Sequence, residues 1–187
     1  RWVGAEEPMI LLLALAGAAV GSFLNVCIDR IPAGRSIIRP PSQCDSCGRK
    51  LRMLDLVPII SFLWLRGRCR YCGALVPRRI PLVEAATAGM FALIWHYFPG
   101  AQFPVVAYYG SLFLVIAVID LEHGIIPNGL TYPAIALALP LSLQQQDNSP
   151  ISALLGAAAG LGLLLDVLLF PRGMGLGDAK MSLLLGV

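Results

Sequence analysis

Two aspartates stand at the edges of apolar segments, where an ionisable acid is energetically costly. Asp120 closes the stretch FLVIAVID, and Asp178 lies between the glycine-rich stretch GMGLG and the run AKMSLLLG. An acid in a membrane segment is by default a functional residue. If the two carboxylates approach each other, they cannot both ionise easily, so the pair would hold one proton. One acid could then act as a base on water while the other donates a proton to a substrate carbonyl, which is the chemistry of an aspartic protease.

Residues near Asp178 could support this chemistry. Gly175 and Gly177 permit a close backbone approach and unusual φ angles, and Lys180 could orient a carboxylate or reach the lipid headgroups. Structural roles are the alternative. Asp178 could cap the helix that follows it, and Asp120 could simply be solvated at the membrane interface, although a helix C-terminus disfavours negative charge.

Four of the five cysteines form two CxxC pairs, CDSC at 44–47 and CRYC at 69–72, with 21 residues between them. Two such pairs can direct four thiolates at one tetrahedral zinc ion and leave no open coordination position. The pattern predicts a structural zinc site, in which metal binding supplies much of the folding free energy. Disulfides or a redox-active CxxC are the alternatives, but the basic surroundings indicate a reducing cytoplasm. The predicted ligands are Cys44, Cys47, Cys69 and Cys72.

The elements that must position these residues are strongly apolar. The chain is 57% hydrophobic and 13% charged, whereas soluble domains carry about 25% charged residues. A bilayer is crossed by about 20 apolar residues in a helix. The predicted spans are residues 8–28, 81–98, 103–120, 129–143 (with an irregular start near Ile125) and 151–170, followed by a helix at 178–187 that the chain end interrupts.

Charge distribution predicts the orientation. Of the 14 lysines and arginines, 11 fall between Arg30 and Arg79, and such an excess in a short loop marks the cytoplasmic side. The N-terminus would then lie outside, and both aspartates would reach the cytoplasmic face. The predicted fold class is an all-α polytopic integral membrane protein with a small cytoplasmic zinc-ribbon-like module, residues 29–80, between the first two transmembrane helices.

Two further expectations concern the module and the helix after it. The apolar stretch LDLVPIISFLWLRGR between the cysteine pairs could pack against the membrane domain or form a ribbon hairpin. Glu84, a few residues into the second helix, could reach towards the surface or pair with Arg78 or Arg79. Glu122 and His123 are expected to be solvated loop residues.

Several motifs together resemble one family. The sequence GLGDAK at 175–180 resembles the GxGD signature of membrane aspartyl proteases, with a lysine after it as in prepilin peptidases. The segment IDLEHGIIPNGLT at 119–131 looks like that family's first-aspartate segment, although Asn128 stands where an aspartate is frequent. The motif GSFLNVCIDRIP at 21–32 is similar to its N-terminal motif, and the paired CxxC sequences with RRIPLVEAATAG at 78–89 match its cytoplasmic domain.

The resemblance implies a bacterial inner-membrane aspartic endopeptidase, with Asp120 and Asp178 as the catalytic pair and residues 81–187 as the protease domain. Its substrates would be type IV prepilins or type II secretion pseudopilins, cleaved at the cytoplasmic face. Many members also methylate the new N-terminus with S-adenosylmethionine, although no glycine-rich nucleotide-binding unit is visible here. The expected partners are these substrates and the lipid bilayer. No nucleic-acid partner is expected.

Two other classes of function remain open at this point. A proton-coupled transporter could use intramembrane acids as a relay, but it predicts acids near the bilayer midplane rather than at one face. A zinc-ribbon membrane adaptor could recruit partners without chemistry, but it would leave the two aspartates unexplained.

Overall fold

The computed structural model describes residues 3–143, which are mostly helical. The elements are α1 (Val3–Arg30), a 3₁₀ helix η1 (Met53–Leu56), α2 (Ile60–Trp64), α3 (Arg79–Tyr97), α4 (Gln102–His123) and α5 (Asn128–Leu143). Asp178, Gly175, Gly177 and Lys180 lie outside the described residues, as do the helices predicted at 151–170 and 178–187.

The chain divides into two compact units, 1–118 and 119–187, with the boundary inside α4. In the first unit, α1 and α3 pack against each other at two glycines of a GxxxG spacing. A Cβ atom on Gly17 would lie 2.7 Å from the Thr87 carbonyl oxygen, and one on Gly21 would lie 2.7 Å from the Glu84 Cα. Small residues let membrane helices approach to backbone contact, so these glycines set the distance between α1 and α3.

Polar contacts align the same two helices. The Asn25 side-chain amide donates to the carbonyl oxygens of Gly21 and Ile80, each at 3.1 Å. At the end of α1, Arg79 Nη2 lies 2.6 Å from Asp29 Oδ1. The C-terminal end of α1 and the N-terminal end of α3 are therefore adjacent, and the module between them leaves and returns at the same place.

An apolar cluster joins α3 to α4. It is centred on Phe91, Ile94 and Ala107, and the rings of Phe91 and Phe103 meet edge to face with centroids 5.6 Å apart. Among the described helices, Glu7–Arg30 and Gln102–His123 are long and apolar enough to cross a membrane. The structure is thus mostly helical with two candidate membrane helices, while the number of spans and their direction stay predictions.

In the second unit, the end of α4 and the start of α5 follow from local chemistry. The Gly124 N–H donates to the Asp120 carbonyl oxygen at 2.8 Å, and Gly124 has a φ of 65°, the left-handed conformation that commonly ends helices. Three residues later Pro127 precedes α5, which begins at Asn128 rather than near Ile125. The prediction that Glu122 and His123 are loop residues is wrong, because both lie in the last turn of α4, although both are exposed.

Candidate metal centre and catalytic aspartate

The two cysteine pairs adopt the same backbone conformation. In the first, the Cys44 N–H donates to the Arg49 carbonyl oxygen at 2.9 Å, and the Gly48 N–H donates to the Cys44 carbonyl oxygen at 2.8 Å. Gly48 has a φ of 66°, which glycine adopts without steric penalty. An isolated antiparallel bridge between Gln43 and Lys50 closes the turn.

The second pair repeats each of these features. The Cys69 N–H donates to the Ala74 carbonyl oxygen at 2.8 Å, and the Gly73 N–H donates to the Cys69 carbonyl oxygen at 3.0 Å. Gly73 has a φ of 72°, and a bridge joins Arg68 to Leu75. Each pair is therefore a knuckle, a tight turn that directs two sulfurs to the same side.

The knuckles bring four sulfurs together. The Sγ atoms of Cys44, Cys47, Cys69 and Cys72 all lie within 4.8 Å of one another, and those of Cys44 and Cys72 are 3.8 Å apart. A tetrahedral zinc ion with Zn–S bonds of about 2.3 Å separates its sulfurs by about 3.8 Å. All four are free thiols, and a disulfide would need a separation of about 2.05 Å. The donor set fits a structural zinc ion rather than two disulfides.

Electrostatics differ between the sulfurs. The backbone N–H groups of Cys47 and Ser46 lower the pKa of the Cys44 thiol to about 7. At Cys72 the Ala74 N–H lowers the pKa, but desolvation and hydrogen bonding with the other cysteine side chains outweigh it and raise the pKa to about 11. Cys44 therefore takes the thiolate form, the form that binds metals, most readily of these two.

Side chains between the knuckles hold the cluster in place. Asp55 in η1 accepts a hydrogen bond from Arg70 Nε at 2.7 Å and another from the Arg52 N–H at 3.1 Å. The Asp55 side chain is only 3% exposed. The Arg49 guanidinium lies 5.2 Å from the centroid of the Tyr71 ring, so both contacts tie the second knuckle to the chain that precedes it.

Glu84 connects the module to the helix pair. Its side chain is buried, and Oε2 accepts a hydrogen bond of 2.7 Å from the N–H of Ile59, the residue before α2. Glu84 therefore meets a backbone group of the module, rather than the predicted Arg78 or Arg79, and Arg79 pairs with Asp29 instead. The signal in the sequence was an acid in an apolar helix, but nothing in the sequence identified its partner.

A cavity of about 370 Å³ lies where the module meets α1 and α3. Carboxylates and guanidinium groups both line it, among them Asp29, Asp55, Glu84, Arg30 and Arg35. A recess with this mixture of charges could hold a small polar ligand that carries groups of both signs.

The first predicted catalytic residue lies in the last turn of α4. Asp120 is exposed, whereas Ile119 beside it is fully buried. The carboxylate is thus uncovered, while the next residue towards the N-terminus is packed. The second aspartate is not among the described residues, so the pairing of Asp120 with Asp178 stays a prediction.

The described residues thus form a mostly helical protein with two candidate membrane helices, a cluster of four cysteines that could hold a metal ion and an exposed acid at a helix end. Two family models divide the chain between them. The bacterial Peptidase A24 N-terminal domain matches residues 15–98, and the type IV leader peptidase family matches residues 107–187.

Individual relatives agree with these matches. A prepilin leader peptidase/N-methyltransferase of Klebsiella pneumoniae is 34% identical, over 97% of this chain and 86% of the relative. Its Bacillus subtilis namesake is 35% identical, over 95% and 73%. The chain therefore belongs to the type IV leader peptidase family. A Myxococcus xanthus relative of the same name is 41% identical over 80% of this chain. The matched region is 45% of the length of that relative. No solved structure matches the chain.

Proposed function

We propose that this chain is a membrane aspartic endopeptidase that removes the leader peptides of type IV prepilins or type II secretion pseudopilins. Family membership along both halves of the chain carries the proposal. The relatives named above are peptidases, which favours neither the transporter nor the adaptor.

Asp120 and Asp178 would perform the reaction as a pair. Both fall within the residues that match the peptidase family model, and the exposed position of Asp120 leaves its carboxylate accessible to a substrate. One carboxylate takes a proton from water, whose oxygen attacks the scissile carbonyl, while the other acid donates its proton to the carbonyl oxygen. Collapse of the tetrahedral intermediate then breaks the C–N bond, and the leaving amine takes a proton from the pair. Gly175, Gly177 and Lys180 would support the substrate.

The bacterial inner membrane is the proposed location, with the N-terminus outside and the module and aspartates on the cytoplasmic side. The basic composition of the loop between α1 and α3 supports this orientation. A prepilin has a basic leader followed by a hydrophobic helix, so its scissile bond would lie at the same membrane face.

Zinc has a structural role in this proposal. Cys44, Cys47, Cys69 and Cys72 would fill all four coordination positions, which leaves none for water or substrate. The ion would stabilise the fold of the module, and the peptidase chemistry would belong to the aspartates alone.

Methyl transfer is the second proposed activity, suggested by the names of the relatives. S-adenosylmethionine would supply the methyl group, and the cavity beside the module offers groups that fit it. Glu84 and Asp29 could accept hydrogen bonds from its ammonium group or ribose hydroxyls, and Arg35 could pair with its carboxylate.

Cleavage of a purified prepilin by the full-length protein tests the peptidase. We expect Asp120→Asn and Asp178→Asn each to abolish cleavage without unfolding the protein, because an amide can neither take up nor donate the shared proton. Glu122→Gln is the matched control, since Glu122 is an exposed acid two residues from Asp120 in the same helix, and it should cleave normally. Cleavage by either aspartate variant would refute the catalytic pair.

A further inference from the structure

The module exposes large apolar side chains on η1 and α2, two short helices that contact each other. The five side chains are between 60% and 86% exposed. A module with so few apolar residues would ordinarily bury them, and an exposed cluster of this kind marks a contact with another molecule or a membrane. We call this cluster the η1–α2 surface. Its members are Met53, Leu54, Ile60, Leu63 and Trp64.

The hydrogen bond between the Ile59 N–H and Glu84 of α3 fixes how far along α3 this surface lies. Glu84, which holds the Ile59 N–H at 2.7 Å, is five residues from the start of α3 at Arg79, a rise of about 7 Å. The η1–α2 surface continues at the next residue, Ile60. It therefore lies alongside the membrane helices rather than beyond their ends.

The length of α1 relates that depth to a bilayer. Its 28 residues extend about 42 Å, which equals the thickness of a bilayer with its headgroups, about 40–45 Å. Because α1 packs along α3, a point about 7 Å inside the start of α3 lies where headgroups give way to hydrocarbon. That is the level at which Trp is enriched in membrane proteins.

The charges around the surface fit anionic lipid. Between residues 49 and 70 there are six basic side chains and one acid, Asp55, which is paired with Arg70. All six basic residues are exposed. An apolar face bordered by arginine and lysine is the pattern of segments that lie in the plane of an anionic membrane surface. The basic residues are Arg49, Lys50, Arg52, Arg66, Arg68 and Arg70.

We propose that the η1–α2 surface is immersed in the headgroup region of an anionic bilayer, so that the cysteine module lies on the membrane instead of projecting into water. The inference goes beyond the proposed function because it depends on neither the aspartates nor the substrate.

Trp64 gives a direct test. The chain has three tryptophans, so Trp2→Phe with Trp95→Phe leaves Trp64 as the single emitter in the full-length protein. In vesicles of phosphatidylethanolamine and phosphatidylglycerol, we expect its emission to shift to shorter wavelength. Phospholipids brominated near the headgroup end of the acyl chain should quench most of it, while acrylamide in the water should quench little.

A matched pair of variants in this background locates the effect. Leu63→Glu places a charge in the surface and should expose Trp64 to acrylamide, whereas Leu75→Glu, at a module residue that is 76% exposed, should change nothing. Quenching by acrylamide but not by brominated lipid would overturn the inference, as would equal effects of the two variants. Protection from both quenchers would show that protein covers the surface, a second copy or a substrate, and would also overturn it. The cleavage assay does not enter these outcomes, so either proposal can fail alone.

Discussion

Three carboxylates position the cysteine module, and each meets a partner suited to its depth. Asp29 is half exposed and pairs with Arg79 where α1 ends and α3 begins, while Asp55 pairs with Arg70 inside the module. Glu84 is buried, and an ion pair with an arginine at this position would require a second charge to be desolvated. Its carboxylate is instead bonded by uncharged groups, the Ile59 N–H and the Ser22 side chain. Sequence reasoning could identify the acid but not this choice, because Ile59 is 25 residues away.

The ion pair of Asp55 predicts a pH dependence. Burial is the largest single influence and would raise the pKa of Asp55, but the hydrogen bonds from Arg70 and the Arg52 N–H, together with the charges of both arginines, outweigh it and hold the pKa below its ordinary value. The pair therefore contributes fully above the ordinary carboxyl pKa of about 4, and its contribution is lost as pH falls through the lower, folded pKa. We expect Asp55→Asn to reduce the stability of the module at pH 7 by about 1 kcal/mol, a modest value because Arg70 is partly exposed to screening water.

Hydrogen exchange of the module amides at several pH values measures this contribution. At pH values where both proteins retain the metal, the gap between wild type and variant should stay constant from pH 7 to about 4 and close only below that. Asp45→Asn, which changes an exposed acid of the first knuckle, is the control and should show no gap. An Asp55→Asn gap that closes near neutrality would contradict the assignment.

At the scale of elements, the long helices follow from their apolar runs. The predicted spans at 8–28, 81–98 and 103–120 correspond to α1, α3 and α4, which extend to Arg30, Tyr97 and His123. The stretch between the knuckles was less predictable. Its apolar residues suggested packing or a hairpin, but it forms η1 and α2 with about half of these side chains exposed. Periodicity cannot decide a segment of two helices with four and five residues.

The crossing of α1 and α3 predicts opposite effects for two glycines. Gly21→Ala would place a methyl group 2.7 Å from the Glu84 Cα, so the helices must separate. We expect a loss of roughly 1–3 kcal/mol. Gly89→Ala, also inside a helix, meets nothing within 4 Å and should be neutral or stabilising by about 0.5–1 kcal/mol. Thermal unfolding in detergent compares them, and a gain in stability from Gly21→Ala would rule out backbone contact at this crossing.

At the scale of the whole molecule, the membrane helices and the module are stabilised differently. The described helices bury a mostly apolar set of side chains. Between residues 31 and 78, only Gly67 and Cys69 are buried. Little apolar surface is buried there, so we expect a metal bound by the four cysteines to supply much of the folding free energy of this segment. The two CxxC pairs in the sequence had already predicted that the module depends on a metal. The pairing of Asp120 with Asp178 rests on the sequence motifs alone and stays a proposal, since Asp178 lies outside the described residues.

Removing the metal should therefore unfold one part of the molecule. We expect a chelator to abolish amide protection across residues 40–76 while α1 and α3 keep theirs. Cys44→Ser should likewise lose zinc, measured as metal content per chain, whereas Cys27→Ser should retain it, because Cys27 is buried in α1 and does not belong to the cluster. Full protection of the module without metal would show that side-chain packing holds it.

The bond between Ile59 and Glu84 also limits how the module can move. Its two connections to the helices, at Arg30 and Arg79, lie side by side and would by themselves act as a hinge. The hydrogen bond from the Ile59 N–H to Glu84 is a third attachment, far from Arg30 and Arg79 in the sequence of the module, and it restricts rotation about the other two. While this hydrogen bond is intact, the module keeps one orientation relative to α1 and α3. A molecule that binds to it therefore meets a surface of constant tilt.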